Sequence, residues 1–190
     1  MRKTIILSLL LAFGFTSCKN SEKRNDKLEI AKQYYNILNN SDHSGIRTIL
    51  GDSIVIRESE SDYQESFSQK RYVEWLEWDS VFEPTYKILE IEQENEIVKT
   101  KISKIDKRIF FLHEEPMVWN EIIRFDNDKI TRVERVEYEI FNVKKFLKNR
   151  NELLNWIDKN YPELNGYLYD QTESGAMKYL KAIELYKNKK

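Results

Sequence analysis

The stretch EIIRFDNDKITRVERVEY, Glu121 to Tyr138, decides the fold. Two runs rich in β-branched and aromatic residues, Met117 to Phe125 and Lys129 to Tyr138, flank Asp126, Asn127 and Asp128. Asn and Asp tolerate positive φ at little cost, so DND reads as a tight turn and the two runs as an antiparallel hairpin. Upstream, Thr85 to Glu92 and Ile97 to Lys107 read as further strands. DSIVIRES (Asp52 to Ser59) adds another through Ile54, Val55 and Ile56.

Around these strands the period changes to that of a helix. Asp26 and Glu29 fit a helix start, followed by Leu28, Ala31, Tyr35 and Leu38 at helical spacing. NNSD (Asn39 to Asp42) breaks this helix, and a shorter one follows with Ile46, Ile49 and Leu50 on one face, ended by Gly51. ESDYQESF (Glu60 to Phe67) reads as a polar loop. Ser66 and Gln69 fit a capping box for a third helix carrying Tyr72, Trp75, Leu76, Trp78 and Phe82, which Pro84 prevents from continuing. Downstream, Val143, Phe146, Leu147, Leu153, Leu154 and Ile157 share one helical stripe from about Phe141 to Asn160. Pro162 and Gly166 break the chain. Ala176, Tyr179, Leu180, Ile183 and Tyr186 mark a last helix.

The amino terminus is an address. Arg2 and Lys3 precede an apolar run, Ile5 to Phe15, too short to span a hydrocarbon core of roughly 30 Å. Small residues follow, ending at Cys18, the sole cysteine. Phe15-Thr16-Ser17-Cys18 resembles a bacterial lipobox, though the first position there is usually Leu. The resemblance implies cleavage after residue 17 and acylation of Cys18, which would hold the protein to the membrane of the bacterial cell envelope, at the periplasmic face or the cell surface. The alternative is an ordinary secretory signal with an incidental cysteine. The segment 18–27 is wholly polar up to Lys27 and reads as a tether, with one domain over 28–190 whose last part, about 141–190, is a helical extension.

Composition narrows the function. The chain has 190 residues and a net charge of −1. Without Arg2 and Lys3, 29 basic residues face 32 acidic ones, so there is no strong basic field for nucleic acid. With Cys18 acylated, no thiol remains for a disulfide or a nucleophile. Only five glycines are present, with no glycine-rich phosphate loop and no nucleophile elbow. LHEEP (Leu112 to Pro116) looks like a metal cluster, but neighbouring residues of a strand face opposite ways. His113 and Glu115 alone are too few ligands, and His43 is far off in the chain. A polar turn at a strand end is the simpler reading, and neither a metal nor a cofactor is expected.

Helix, short helix, strand, helix and then a run of long strands resembles the NTF2-like (SnoaL-like) superfamily. The local matches are the Glu121 to Tyr138 hairpin and AKQYYNILNNSDHSGIRTIL (Ala31 to Leu50), and the likeness covers about Leu28 to Tyr138. It implies an α+β cone: a curved antiparallel sheet packed on N-terminal helices, here with two extra C-terminal helices. In that family the cone's interior serves catalysis in some members and binding in others, so fold does not decide. Enzymes of this kind place Asp, His and Tyr inside the cone. The candidates here are Tyr34, Tyr35, Asp79, His113 and Tyr138, but no spacing among them matches a catalytic signature, and no catalytic residue is assigned.

The resemblance places Tyr35, Trp75, Trp78, Trp119 and Tyr138 on elements that face the cone, where they would form an aromatic ligand pocket. Filling the cone with their own rings is the competing expectation. The combined reading is a lipid-anchored envelope protein that binds an apolar small molecule or a protein partner without catalysing a reaction. Its alternatives are a small-molecule isomerase or dehydratase using buried Tyr, Asp or His, and an assembly protein docking through its C-terminal helices.

Overall fold

Asn127 and Asp128 both adopt left-handed backbone, with φ of 46° and 61°. A two-residue type I′ turn needs that conformation at both positions. The turn joins β5 (Met117–Asp126) to β6 (Lys129–Ile140), with Asp126 opposite Lys129. The computed structural model describes residues 19–189. Residues 1–17 and Cys18, and with them the expected signal and the expected acylation site, lie outside the described residues.

Four more strands complete one sheet: β1 (Leu50–Glu58), β2 (Tyr63–Ser68), β3 (Thr85–Glu94) and β4 (Ile97–Ile105), in the order β2-β1-β6-β5-β4-β3. Register shifts interrupt the β1–β6, β3–β4 and β5–β6 pairs, and such bulges bend and twist a sheet. One pair departs from the antiparallel expectation: β1 runs parallel to β6. A long connection through four strands and two helices returns the chain in that direction, which a hairpin could not do.

Among the described residues six α-helices accompany the sheet: α1 (Lys19–Asn40), α2 (His43–Ile49), α3 (Gln69–Ser80), α4 (Lys107–His113), α5 (Val143–Asn160) and α6 (Glu173–Lys187). Several boundaries differ from the sequence reading. Residues 19–26, expected as a tether, belong to α1; neither Pro nor Gly separates them from the rest of that helix, so nothing stops it at Asp26. Leu50 and Gly51 open β1 instead of closing α2. The expected loop contains β2, an edge strand whose only buried residue is Phe67. The cap of α3 is Ser68, not Ser66: its hydroxyl accepts from the Arg71 amide at 3.3 Å. The strand from Ile97 ends at Ile105, and Asp106 caps the unforeseen α4 by accepting from the Ile109 amide at 2.5 Å.

Two cores result. Ala31, Tyr34, Tyr35 and Leu38 of α1 pack with Ile102, Ile123 and Ile130 of the sheet. The second core joins Trp78, Phe82 and Leu112 to Leu153 and Ile157 of α5 and to Ala176, Tyr179 and Ile183 of α6. The C-terminal helices thus lie against α3 and α4, although Val143 and Leu147 of the expected stripe are 48% and 38% exposed.

His113 is a buried fastener of this arrangement, placed at the end of α4 and not on a strand. Its Nε2 accepts from the Asn142 amide at 2.7 Å, which leaves the proton on Nδ1 to be donated to the Glu115 carbonyl at 2.9 Å. With both nitrogens committed, the ring ties the end of α4 to the cap of α5. His113→Ala should lower the urea midpoint with little change in slope, at a cost of about 1–3 kcal/mol for the lost bonds.

Candidate functional site

Strand period sets the site's floor. Trp119, Glu121 and Ile123 alternate along β5 and are all buried. Across β6, Trp119 pairs with Tyr138, whereas Glu121 pairs with Arg135. One more residue separates the pair on β6 than on β5, and this bulge carries Arg135 and Tyr138 onto the same face as Trp119 and Glu121. From the helical side, Tyr35 of α1 and Tyr72, Trp75 and Trp78 of α3 close over them.

Between these walls is a cavity of about 330 Å³. All five residues expected at a pocket line it: Tyr35, Trp75, Trp78, Trp119 and Tyr138. Tyr72 stacks on Trp75 with ring centres 5.4 Å apart, and Trp119 meets Tyr138 edge-on at 6.1 Å. Phe141, Phe146 and Gln171, from the C-terminal extension, also contribute to the lining. The extension therefore supplies part of the cavity wall.

The cavity also holds charged groups that sequence reasoning missed. Glu121 is 4% exposed. One of its oxygens accepts from the Tyr35 hydroxyl, the other from Trp119 Nε1 at 2.7 Å. The Tyr35 oxygen also lies 2.9 Å from Thr100 Oγ1. Burial and then the Glu121 charge push the Tyr35 hydroxyl well above its usual pKa, so it stays protonated as a donor. Beside them Arg135 donates to Glu58 at 2.5 Å and to the Tyr138 hydroxyl at 3.3 Å, and its guanidinium lies 4.7 Å from the Trp119 ring centre. Burial disfavours the Arg135 charge, but Tyr138, Glu58 and Glu121 outweigh it and raise its pKa.

A second cluster lies by α3 and β4. Lys104 donates to both oxygens of Asp79, at 2.6 and 2.9 Å, and Tyr86 donates to Asp79 Oδ2 at 2.9 Å. Arg108 pairs with Asp106 at 3.2 Å and stands 3.9 Å from Asp79. Burial pushes the Asp79 carboxyl upward, but the Lys104 and Arg108 charges prevail and hold it below the ordinary carboxylate range. Lys104, Arg108 and Tyr86 line the cavity. Of the acid–base candidates read from sequence, Tyr34, Tyr35 and Tyr138 line the cavity, Asp79 holds two of its lining residues, and His113 is the fastener described above.

Solved structures share this architecture. A candidate ketosteroid isomerase from Kribbella flavida superposes with a TM-score of 0.53 at 9% identity, over 63% of this chain and 83% of that one. An LEH-like epoxide hydrolase from M. tuberculosis gives 0.52 at 17% identity, over 70% of this chain and 98% of the other. The fold is NTF2-like. No protein-family model matches the chain, and no curated protein matches it significantly. At these identities the likeness concerns the NTF2-like fold, and residue roles rest on the cavity itself.

Proposed function

We propose that this chain is a lipid-anchored protein of the bacterial cell envelope whose NTF2-like cone binds a flat, largely apolar small molecule without transforming it. One observation carries the binding reading. The cavity is walled by aromatic rings, while Glu121 and Asp79 have both oxygens occupied by protein donors. Hydrogen bonds donated to a carboxylate stabilise its charged form and weaken it as a base, whereas aromatic walls with a few polar tips suit recognition.

The test is titration of the full chain with apolar ring compounds, followed by tryptophan fluorescence. A saturable response is expected in the wild type and should be lost in Trp75→Ala, whose melting curve confirms that the fold persists. No saturable response to a broad set would leave the rings as packing and remove the pocket. The anchor has its own test. An acyl-chain probe fed to cells should label the wild type and not Cys18→Ala, and equal labelling of both would remove the lipid from the proposal.

A second reading has one observation in its favour: a buried carboxylate, Glu121, adjoins a protonated tyrosine in the cavity wall. Solved structures described as a candidate ketosteroid isomerase and an LEH-like epoxide hydrolase share this fold, which supports an enzymatic reading. If Glu121 acts as a base, Glu121→Gln abolishes turnover of a bound compound while retaining its affinity.

A further inference from the structure

Two buried donors in the second cluster are left over. Trp78 Nε1 and Arg108 Nε have no hydrogen-bond partner among the described residues. Both side chains line the cavity, Trp78 is 8% exposed, and the Arg108 guanidinium lies 4.7 Å from the Trp78 ring centre. A buried N–H without an acceptor forfeits its solvation, and native proteins leave few of them. The charges nearby are already matched: Lys104 with Asp79 at 2.6 Å, and Arg108 with Asp106 at 3.2 Å. Two cations and two anions leave no charge for a ligand to neutralise. An ionised ligand would bring an unpaired charge into a buried site, at high cost. What the site lacks is an acceptor, and a neutral one.

We infer that this end of the cavity takes the uncharged acceptor oxygen of an otherwise apolar ring compound, a carbonyl oxygen foremost, on Trp78 Nε1–H and Arg108 Nε–H. The inference rests on the pocket reading above and adds the ligand's polarity and orientation. The ring system lies among Tyr72, Trp75 and Trp119, and the oxygen is directed toward Trp78. A water held by the two donors is the natural competitor, since exchanging it for a carbonyl gains little if its bonds are as good.

Three matched probes separate these possibilities in calorimetric titrations of the full chain: 2-acetylnaphthalene, 2-ethylnaphthalene and 2-naphthoate. The ketone should bind roughly tenfold more tightly than the hydrocarbon, equivalent to about 1.4 kcal/mol. Trp78→Phe, which keeps a ring and removes the N–H, should shrink that preference. In the wild type, the Trp78 indole N–H resonance should move further downfield with the ketone than with the hydrocarbon. The Trp119 indole N–H, already bonded to Glu121, should move alike with both probes and so serves as the internal reference. This spectroscopic readout does not depend on the variant folding. Equal affinity for ketone and hydrocarbon would overturn the inference and leave the apolar pocket standing. Tighter binding of the naphthoate would overturn the neutral class. If none of the three binds and the apolar set also fails, the pocket itself falls, and the inference with it.

Discussion

Truncation after Ile140 should abolish the cooperative thermal transition and leave a dye-binding, partly ordered chain. The lost segment carries Leu153, Ile157, Ala176, Tyr179 and Ile183, all buried in the second core. Their partners stay behind: Phe82 is fully buried and meets the Tyr179 ring at 5.7 Å, and Leu112 is fully buried under the same helices. A buried Leu, Ile or Phe side chain contributes roughly 1.5–3 kcal/mol. Losing several at once, and exposing their partners, rivals the whole stability of a typical domain, about 5–15 kcal/mol. Calorimetry and dye fluorescence on the chain ending at Ile140 test this. A melting curve like that of the full chain would show the last two helices to be an appendage.

Lys104→Met should be the most damaging single substitution at the cavity, costing about 3–5 kcal/mol, because it leaves the Asp79 charge buried without its main partner. Lys104 and Asp79 are 4% and 2% exposed, so little solvent is at hand to replace the lost cation. Adding Asp79→Asn to the same chain should recover much of the loss, since the unpaired charge is then gone. The pH dependence has a definite sign. In the wild type the Asp79 carboxyl is held below its ordinary range. Its contribution is therefore fully present above the unfolded value, about 4, and is lost as pH falls through the lower folded value. In Lys104→Met, acid instead relieves the buried charge, so the gap to wild type should narrow as pH falls. Urea unfolding of both proteins from neutral to acid pH tests this, and a constant gap would show that the substitution acts through packing alone.

The hairpin was legible because its turn has a chemical requirement that Asn127 and Asp128 meet. The C-terminal helices were legible from their apolar period. Other elements were hidden for identifiable reasons. In β2 only Phe67 is buried, so its sequence is as polar as a loop, and its identity comes from bonding to β1. The Ile109-Phe110-Phe111-Leu112 run of α4 looks like strand, yet Asp106 caps it and Ile109 and Leu112 turn inward at helical spacing.

The aromatic members of the site were found through resemblance to a family, not through spacing. Glu121, Arg135 and Lys104 were missed because a charged residue in a charge-rich chain reads as surface, and Asp79 was read as an acid–base candidate without the Lys104 that neutralises it. Only the fold brings together partners 14 and 25 positions apart. Tyr138 shows the same limit at one residue's resolution. Strict alternation would group it with Val136 and Glu134, and the bulge places it beside Arg135 instead.

The parallel pairing of β1 with β6 has a consequence for how the chain acquires its shape. β3 to β6 are consecutive and mostly local in their pairing, whereas β1 at residues 50–58 must find residues 130–135 of β6. Closing so long a loop is an entropic toll that no local contact offsets beforehand. On the ribosome, the β1–β2 hairpin emerges some 75 residues before the strand that completes its other edge, with Ile54 and Phe67 made long before β5 and β6 can shelter them. The amino-terminal third of this protein is thus its waiting half-product, finished only when the hairpin at Asn127 and Asp128 has been made.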